Sequence, residues 1–170
     1  MSDSIFDVAV PNESLDKPAF EPLATGGYRA TLQPGAELVS NDNGWKAVRL
    51  PFANFVDKGG RTHARSIRAQ FTYESSTSPE AVRIGREGLI GAAAAFGLTT
   101  TVQNGDGKPA QKLTAKDYDE LVAQFASVAG SEADVYVKVQ KRKRAGQVVL
   151  KDSGEPVLDN EVSRISKVAA

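Results

Sequence analysis

The sequence predicts a mainly β domain with helices, an α+β class, on three observations. Apolar and polar residues alternate with a period of two through the first half of the chain and again near its end. Between those stretches the period lengthens to that of a helix, bounded by capping residues. Turn signals such as "NDNG" and "DKGG" separate the alternating stretches at hairpin spacing.

Taken in order, residues 1–24 carry Pro11, Pro18 and Pro22 without an apolar period, and a mobile acidic arm is expected there. The ordered domain is expected over residues 25–170. "GGYRATLQ" opens it as a first strand, with Tyr28, Ala30 and Leu32 on one face. "WKAVRLPFANF" is the second, with Val48, Leu50 and Phe52 on one parity and Trp45, Ala47, Arg49 and Phe55 roughly on the other. Pro51 cannot donate to a ladder, which predicts an edge strand or a bend. "RTHARSIRAQFTY" is the third, with Ile67, Ala69 and Phe71 opposite Ser66, Arg68, Gln70 and Thr72.

Ser78, Pro79 and Glu80 then form a helix start, and Val82, Arg86, Leu89, Ile90, Ala93 and Phe96 follow at helical spacing until Gly97. "TTTVQNGDGKPAQK" is expected to be a polar loop. A second helix opens at Thr114 with Asp117 three residues on, and turns Tyr118, Leu121, Val122 and Phe125 inward before Gly130. Alternation returns with Val135, Val137 and Val139 opposite Tyr136, Lys138 and Gln140; "QVVL" pairs back across a turn, and "EVSRISKV" is a further strand. Three strands, helix and two strands in this order predict an OB-fold: a five-stranded Greek-key barrel with a helical insertion between strands 3 and 4. A different small β-barrel capped by helices has the same order of signals.

Composition narrows the chemistry. The chain has 170 residues, 41% hydrophobic and 25% charged, ordinary values for one soluble domain with its own core. It has no Cys, which excludes disulfides, thiolate nucleophiles and cysteine-held zinc or iron–sulfur clusters, and points to a reducing compartment. The N-terminus lacks the basic and apolar regions of a secretory signal, and no window reaches the run of about 18 apolar residues that spans a bilayer. A cytoplasmic protein with no membrane partner is therefore expected.

Net charge is zero, yet the charges are segregated. Asp3, Asp7, Glu13, Asp16 and Glu21 dominate the first 24 residues, whereas Lys138, Lys141, Arg142, Lys143, Arg144 and Lys151 are the charges of residues 138–151. Four consecutive cations at one turn exceed what solubility or edge protection needs, and they call for a polyanion.

Catalytic arrangements are weak. His63 is the single histidine and has no thiol to pair with; an exposed polar residue or a phosphate contact explains it better than a general base. Asp117, Asp119 and Glu120 at a helix start follow from the macrodipole. "GREGLIGAAAAFG" lacks both phosphate-loop and dinucleotide patterns, so Gly85, Gly88 and Gly91 are expected to let the helix approach the sheet closely. No catalytic residue, metal or cofactor is assigned.

Basic and aromatic residues remain. Arg29, Arg49, Arg65, Arg68 and Gln70 on the first three strands, with Trp45 at the margin and Tyr73 at a strand end, form a groove of cations interleaved with rings. Tyr136, Lys138, Lys141, Arg142, Lys143 and Arg144 continue it through the fourth strand and the basic turn. Such a surface suits single-stranded nucleic acid, where cations track phosphates and rings stack on bases. The alternative is that Trp45 and Phe55 close the barrel end and the arginines form a solvated sheet face.

In "GGYRATL", "WKAVRLPF", "GRTHARSIRAQFTY", "AVRIGREGLIGAAAAFGL" and "ADVYVKVQKRKRAG", over about residues 26–168, the chain resembles the OB-fold single-stranded DNA-binding proteins encoded by bacteriophages. The resemblance implies cooperative, largely sequence-independent coating of single-stranded DNA in the host cytoplasm during replication or recombination, without cofactor. It also implies replication or recombination proteins, or further copies of the chain, as partners. The chain departs from that pattern in ending "SRISKVAA" rather than in an acidic tail, its acidic segment lying at the other end. The competing readings are a non-enzymatic phage accessory protein using an OB-like barrel for protein contacts and, more distantly, a nuclease.

Overall fold

A computed structural model of the chain describes residue 9, residues 22–144 and residues 147–169. Most of the expected acidic arm, and Ala145 and Gly146 of the basic turn, lie outside the described residues. The elements in chain order are β1 (Gly26–Leu32), β2 (Glu37–Ser40), β3 (Lys46–Val56), β4 (Thr62–Glu74), α1 (Pro79–Ala95), β5 (Thr99–Gln103) and β6 (Pro109–Leu113). They continue as α2 (Tyr118–Ser127), β7 (Glu132–Lys141), β8 (Lys143–Arg144), β9 (Gln147–Val148) and β10 (Leu158–Ser166). The mainly β, α+β class is as the sequence predicts.

The principal sheet is antiparallel and six-stranded, in the order β10–β7–β1–β3–β2, with β4 on the remaining edge of β3. It is not closed into the expected barrel. β4 and β10 approach within 8 Å between Cα atoms but share no ladder. Helix α1 packs on both strands, and its backbone reaches the edge of β4: a Cβ at Gly85 would stand 1.9 Å from the Thr72 carbonyl oxygen. Gly88 is equally committed, since its Cβ would lie 2.8 Å from the Phe71 ring, whereas Gly91 faces open space. Close helix approach is thus required at two of the three expected glycines.

Pro51 sits within β3 between two strands, not at an edge. β2 pairs with β3 as far as Arg49 and β1 begins at Phe52, so the imide nitrogen falls where one neighbour replaces the other. Its carbonyl still accepts from Gln33 N–H at 2.9 Å. Three residues on, Asn54 has φ 56° and the register slips between Ala53 and Phe55. That bulge reverses parity and turns Phe55, expected on the outer side, fully into the core.

Three further expectations are corrected. "TTTVQNGDGKPAQK" is not a loop but the hairpin β5–β6, closed where Asn104 N–H donates to Lys108 O and Gly107 N–H donates to Asn104 O. Polar residues on both of its faces hid the period; Thr99 and Thr101 are linked across it by the Gln111 amide. Helix α2 starts at Asp117, whose carboxylate accepts from Glu120 N–H at 2.8 Å, and not at Thr114, whose hydroxyl donates to Leu98 O. The strand beside β7 in the principal sheet is β10, while "QVVL" supplies only the two residues that pair with β8.

The core is one cluster between the inner face of the sheet and the two helices. Phe52, Phe55, Phe125, Leu32, Leu50, Leu89, Leu121, Val48 and Val137 are its largest fully buried side chains, each stabilising the fold by about 1.5–3 kcal/mol through burial. Leu23 joins it at 4% exposure, tied to Asn160 by hydrogen bonds of 2.8 and 2.9 Å. Leu23 is thus a core residue, although it precedes the expected boundary at 25.

Candidate nucleic-acid interface

The outer faces of β3 and β4 carry the centre of the candidate site because alternation leaves them uncovered. Registered pairs Arg49↔Gln70 and Pro51↔Arg68 lie back to back with the buried Val48, Leu50, Ala69 and Phe71. Gln70 Oε1 accepts from Arg49 Nε at 3.3 Å and Nη2 at 3.0 Å, and Arg49 Nη1 reaches Glu37 at 3.5 Å on β2. Trp45 lies on this same face, half-buried, its indole N–H donating to Thr72 Oγ1 at 3.0 Å.

Facing these residues across the open β4/β10 seam are the end of β7, the start of the hairpin and the start of β10. Together they enclose a groove of about 950 Å³, lined on one side by Arg49, Arg65, Arg68 and Gln70 and on the other by Gln140, Arg142, Asp159 and Glu161. A second recess of about 1020 Å³ holds Trp45, Gln70, Asn41, Asn43 and Lys143. Gln70 lines both. Lys141, Arg142 and Lys143 also flank a shallower pocket above Asp159. Arg142 and Lys143, in the described part of the basic turn, thus line recesses shared with the β3–β4 face.

The cations there are lightly held. Arg142 Nε approaches Asp159 Oδ2 at 3.3 Å with both side chains about half exposed, and an exposed pair of that kind contributes about 0–1 kcal/mol. Among the described residues Arg68, Lys141, Lys143 and Arg144 have no ion pair. A phosphate can displace or add to such contacts at little cost.

Not every predicted site residue is in this groove. Tyr73 is 8% exposed, stacked on Tyr118 at 3.8 Å between ring centroids, and burial pushes its phenol pKa up. It shares the inward parity of Ile67, Ala69 and Phe71, so its assignment to the groove is corrected. Arg29 and Tyr136 line a separate groove of about 480 Å³ on the outside of β1, β7 and β10, with Asp57, Lys58, Asp134 and Arg164. Arg29 Nε lies 3.5 Å from Asp134, its partner in the β1–β7 register. Lys138 is exposed opposite Glu161, and Arg144 lies on the two-residue β8 beside the tip.

His63 belongs beside this mixed-charge groove and serves a turn. Its Nε2 is 3.0 Å from Asp57 Oδ2, while Asp57 Oδ1 accepts from Gly59 and Arg61 N–H at 2.9 and 3.0 Å. The bond to His63 first, and the Arg61 N–H next, hold the Asp57 carboxyl below its ordinary pKa. Among the described residues no three His, Asp or Glu side chains gather as a metal site, and no helix is long and apolar enough to cross a membrane.

The residues that sequence reading missed surround Trp45: Asn41, Asn43, Ser75, Ser76 and Thr77. Lys46 pairs with Glu74, which brings the turn before β3 beside the connection after β4, and Ser76 Oγ donates to Asn43 O at 2.8 Å. Extending the β3–β4 register past its ends would have placed "NDN" against "SST". No protein-family model matches this sequence, and no curated protein does.

Proposed function

We propose that this chain is a largely sequence-independent single-stranded DNA-binding protein built on an OB-fold, of the kind bacteriophages use in replication and recombination in the host cytoplasm. It acts as a non-enzymatic binder without cofactor. The observation that carries the reading is the outer β3–β4 face, where the Trp45 indole and the Arg49, Arg68 and Gln70 side chains share one surface overhung by Arg142 and Lys143.

The strand order supports the OB-fold part. Leaving aside the short β2 and the two small hairpins, it runs β4–β3–β1–β7–β10, with α1 and α2 between β4 and β7. Numbered along the chain those strands read 3-2-1-4-5. The ligand face of that fold is the surface of its second and third strands, flanked by the first and fourth connecting loops. Here those correspond to β3–β4, the "NDNG" turn and the basic hairpin.

The ligand follows from the chemistry. Stacking needs a free base face, which a duplex denies, and each stacked base is worth about 1–3 kcal/mol. Titration of fluorescent single-stranded and duplex oligonucleotides at two salt concentrations tests the proposal: tighter, salt-sensitive binding of the single strand is expected. Equal affinity for the two forms at matched salt would remove stacking. No affinity for either would favour a protein partner, the reading supported by Val148, Leu150 and Leu158, which stand 37%, 58% and 45% exposed beside the hairpin.

A further inference from the structure

The recess around Trp45 differs chemically from the rest of the groove, because three of its polar groups can only donate. Asn41 Oδ1 accepts the N–H groups of Asn43 at 2.9 Å and Trp45 at 3.1 Å, so its Nδ2 is the end left over. Gln70 Oε1 accepts from the Arg49 guanidinium, which has no lone pair to offer in return, and this fixes Nε2 as its remaining group. Neither amide nitrogen has a partner among the described residues. Lys143 adds an ammonium, a donor without acceptor capacity. The indole N–H is already taken by Thr72, which pins the ring on the surface.

We infer that this recess is a base-selective subsite taking a keto base, thymine or guanine, in preference to an amino base, cytosine or adenine. The inference rests on the proposed single-strand binding. Thymine offers the O4 carbonyl and guanine the O6 carbonyl, both acceptors, where cytosine and adenine present an amino donor at the equivalent position. Fixed donors meet acceptors in the first case and another donor in the second. The hydroxyls of Ser75, Ser76 and Thr77 and the amide of Asn43 can serve either role and do not set the preference. Selectivity is confined to one recess, so binding elsewhere along the groove stays indifferent to sequence.

The test compares homopolymers of thymidine and deoxycytidine of about 12 nucleotides, within the range one such fold covers, both pyrimidines and so similar in stacking. Wild type is expected to bind the thymidine oligomer about three- to tenfold more tightly, as one or two neutral hydrogen bonds allow. Asn41→Asp and Gln70→Glu keep the oxygen that holds the turn and Arg49 but replace the free donor by an acceptor. Combined, they should weaken both oligomers through charge and bring the preference to unity or below. Gln140→Glu, which matches Gln70→Glu in charge, places it in the groove outside the recess and should leave the preference intact. Should the combined variant melt early, Gln70→Glu alone decides.

An unchanged preference in the Asn41/Gln70 variants would overturn the subsite, as would equal binding of the two oligomers by wild type; both leave single-strand binding standing. If wild type binds neither oligomer, the functional reading fails and the subsite with it.

Discussion

Two grooves on the outside of one sheet both hold cations, aromatic rings and two acids, and they differ in how many cations they gather and in what hangs over them. The mixed-charge groove sets Arg29, Lys58 and Arg164 beside Asp57 and Asp134, with Arg29 already drawn to Asp134. The basic groove takes Arg65, Arg68 and Gln70 from one strand, Arg49 from the next, and then receives Arg142 and Lys143 from the hairpin. A count of arginines on outward strand positions would have merged the two. The path of a connection, here the one from β7 to β10, decides which surface the hairpin cations join.

The largest effect expected on either side of this comparison comes from the aromatic residues of β3 and β4. Tyr73→Ala should cost about 3–5 kcal/mol of folding free energy, as loss of a buried ring does, and leave oligonucleotide affinity unchanged while the protein is folded. A small melting shift with a large loss of affinity would return Tyr73 to the groove. Trp45→Ala should reverse the pattern, weakening single-strand binding by about 1–3 kcal/mol with a minor change in melting. Tyr136→Ala, in the mixed-charge groove, serves as its counterpart and should alter neither.

The smallest effect concerns the turn beside the mixed-charge groove. Because the folded pKa of Asp57 is depressed, its contribution to stability is present above the unfolded carboxylate value and is lost as pH falls below about 4 through the folded value. Melting temperature against pH should therefore drop more steeply below that point in wild type than in Asp57→Asn. Parallel curves would mean the bonds to His63, Gly59 and Arg61 contribute nothing.

Much of this was legible because alternation is strict on β4 and β7, and on β3 from Val48 to Phe52, where one face is buried. Val48, Leu50, Ile67, Ala69, Val135 and Val137 all lie inside as their parity demands. Tyr73 carried the same signal and could have been read from it. Phe55 could not: the bulge at Asn54 rests on a positive φ in a residue that leaves no fixed mark in sequence. The β5–β6 hairpin escaped because neither of its faces is apolar, and the open β4/β10 seam is a matter of pairing that neither strand's own pattern carries. The recess around Trp45 was hidden for another reason. Its amides and hydroxyls come from two turns 30 or more residues apart, each of which reads by itself as nothing more than a turn.

The most direct test of the central claim removes three cations from each groove in matched variants and measures single-strand affinity across salt. Arg49, Arg68 and Arg142 are changed to Ala in one protein, and Arg29, Lys58 and Arg164 in the other, so the net charge falls equally. The basic-groove variant is expected to bind about a hundredfold more weakly at low salt, with a log–log salt slope shallower by about 2, from about 0.7 for each single-strand phosphate that is no longer neutralised. The mixed-groove variant should lose less than about fivefold, the reach of general surface charge. Equal losses in the two proteins would mean that net charge and not the β3–β4 groove holds the DNA, and a greater loss in the second would place the interface at the mixed-charge groove on β1, β7 and β10.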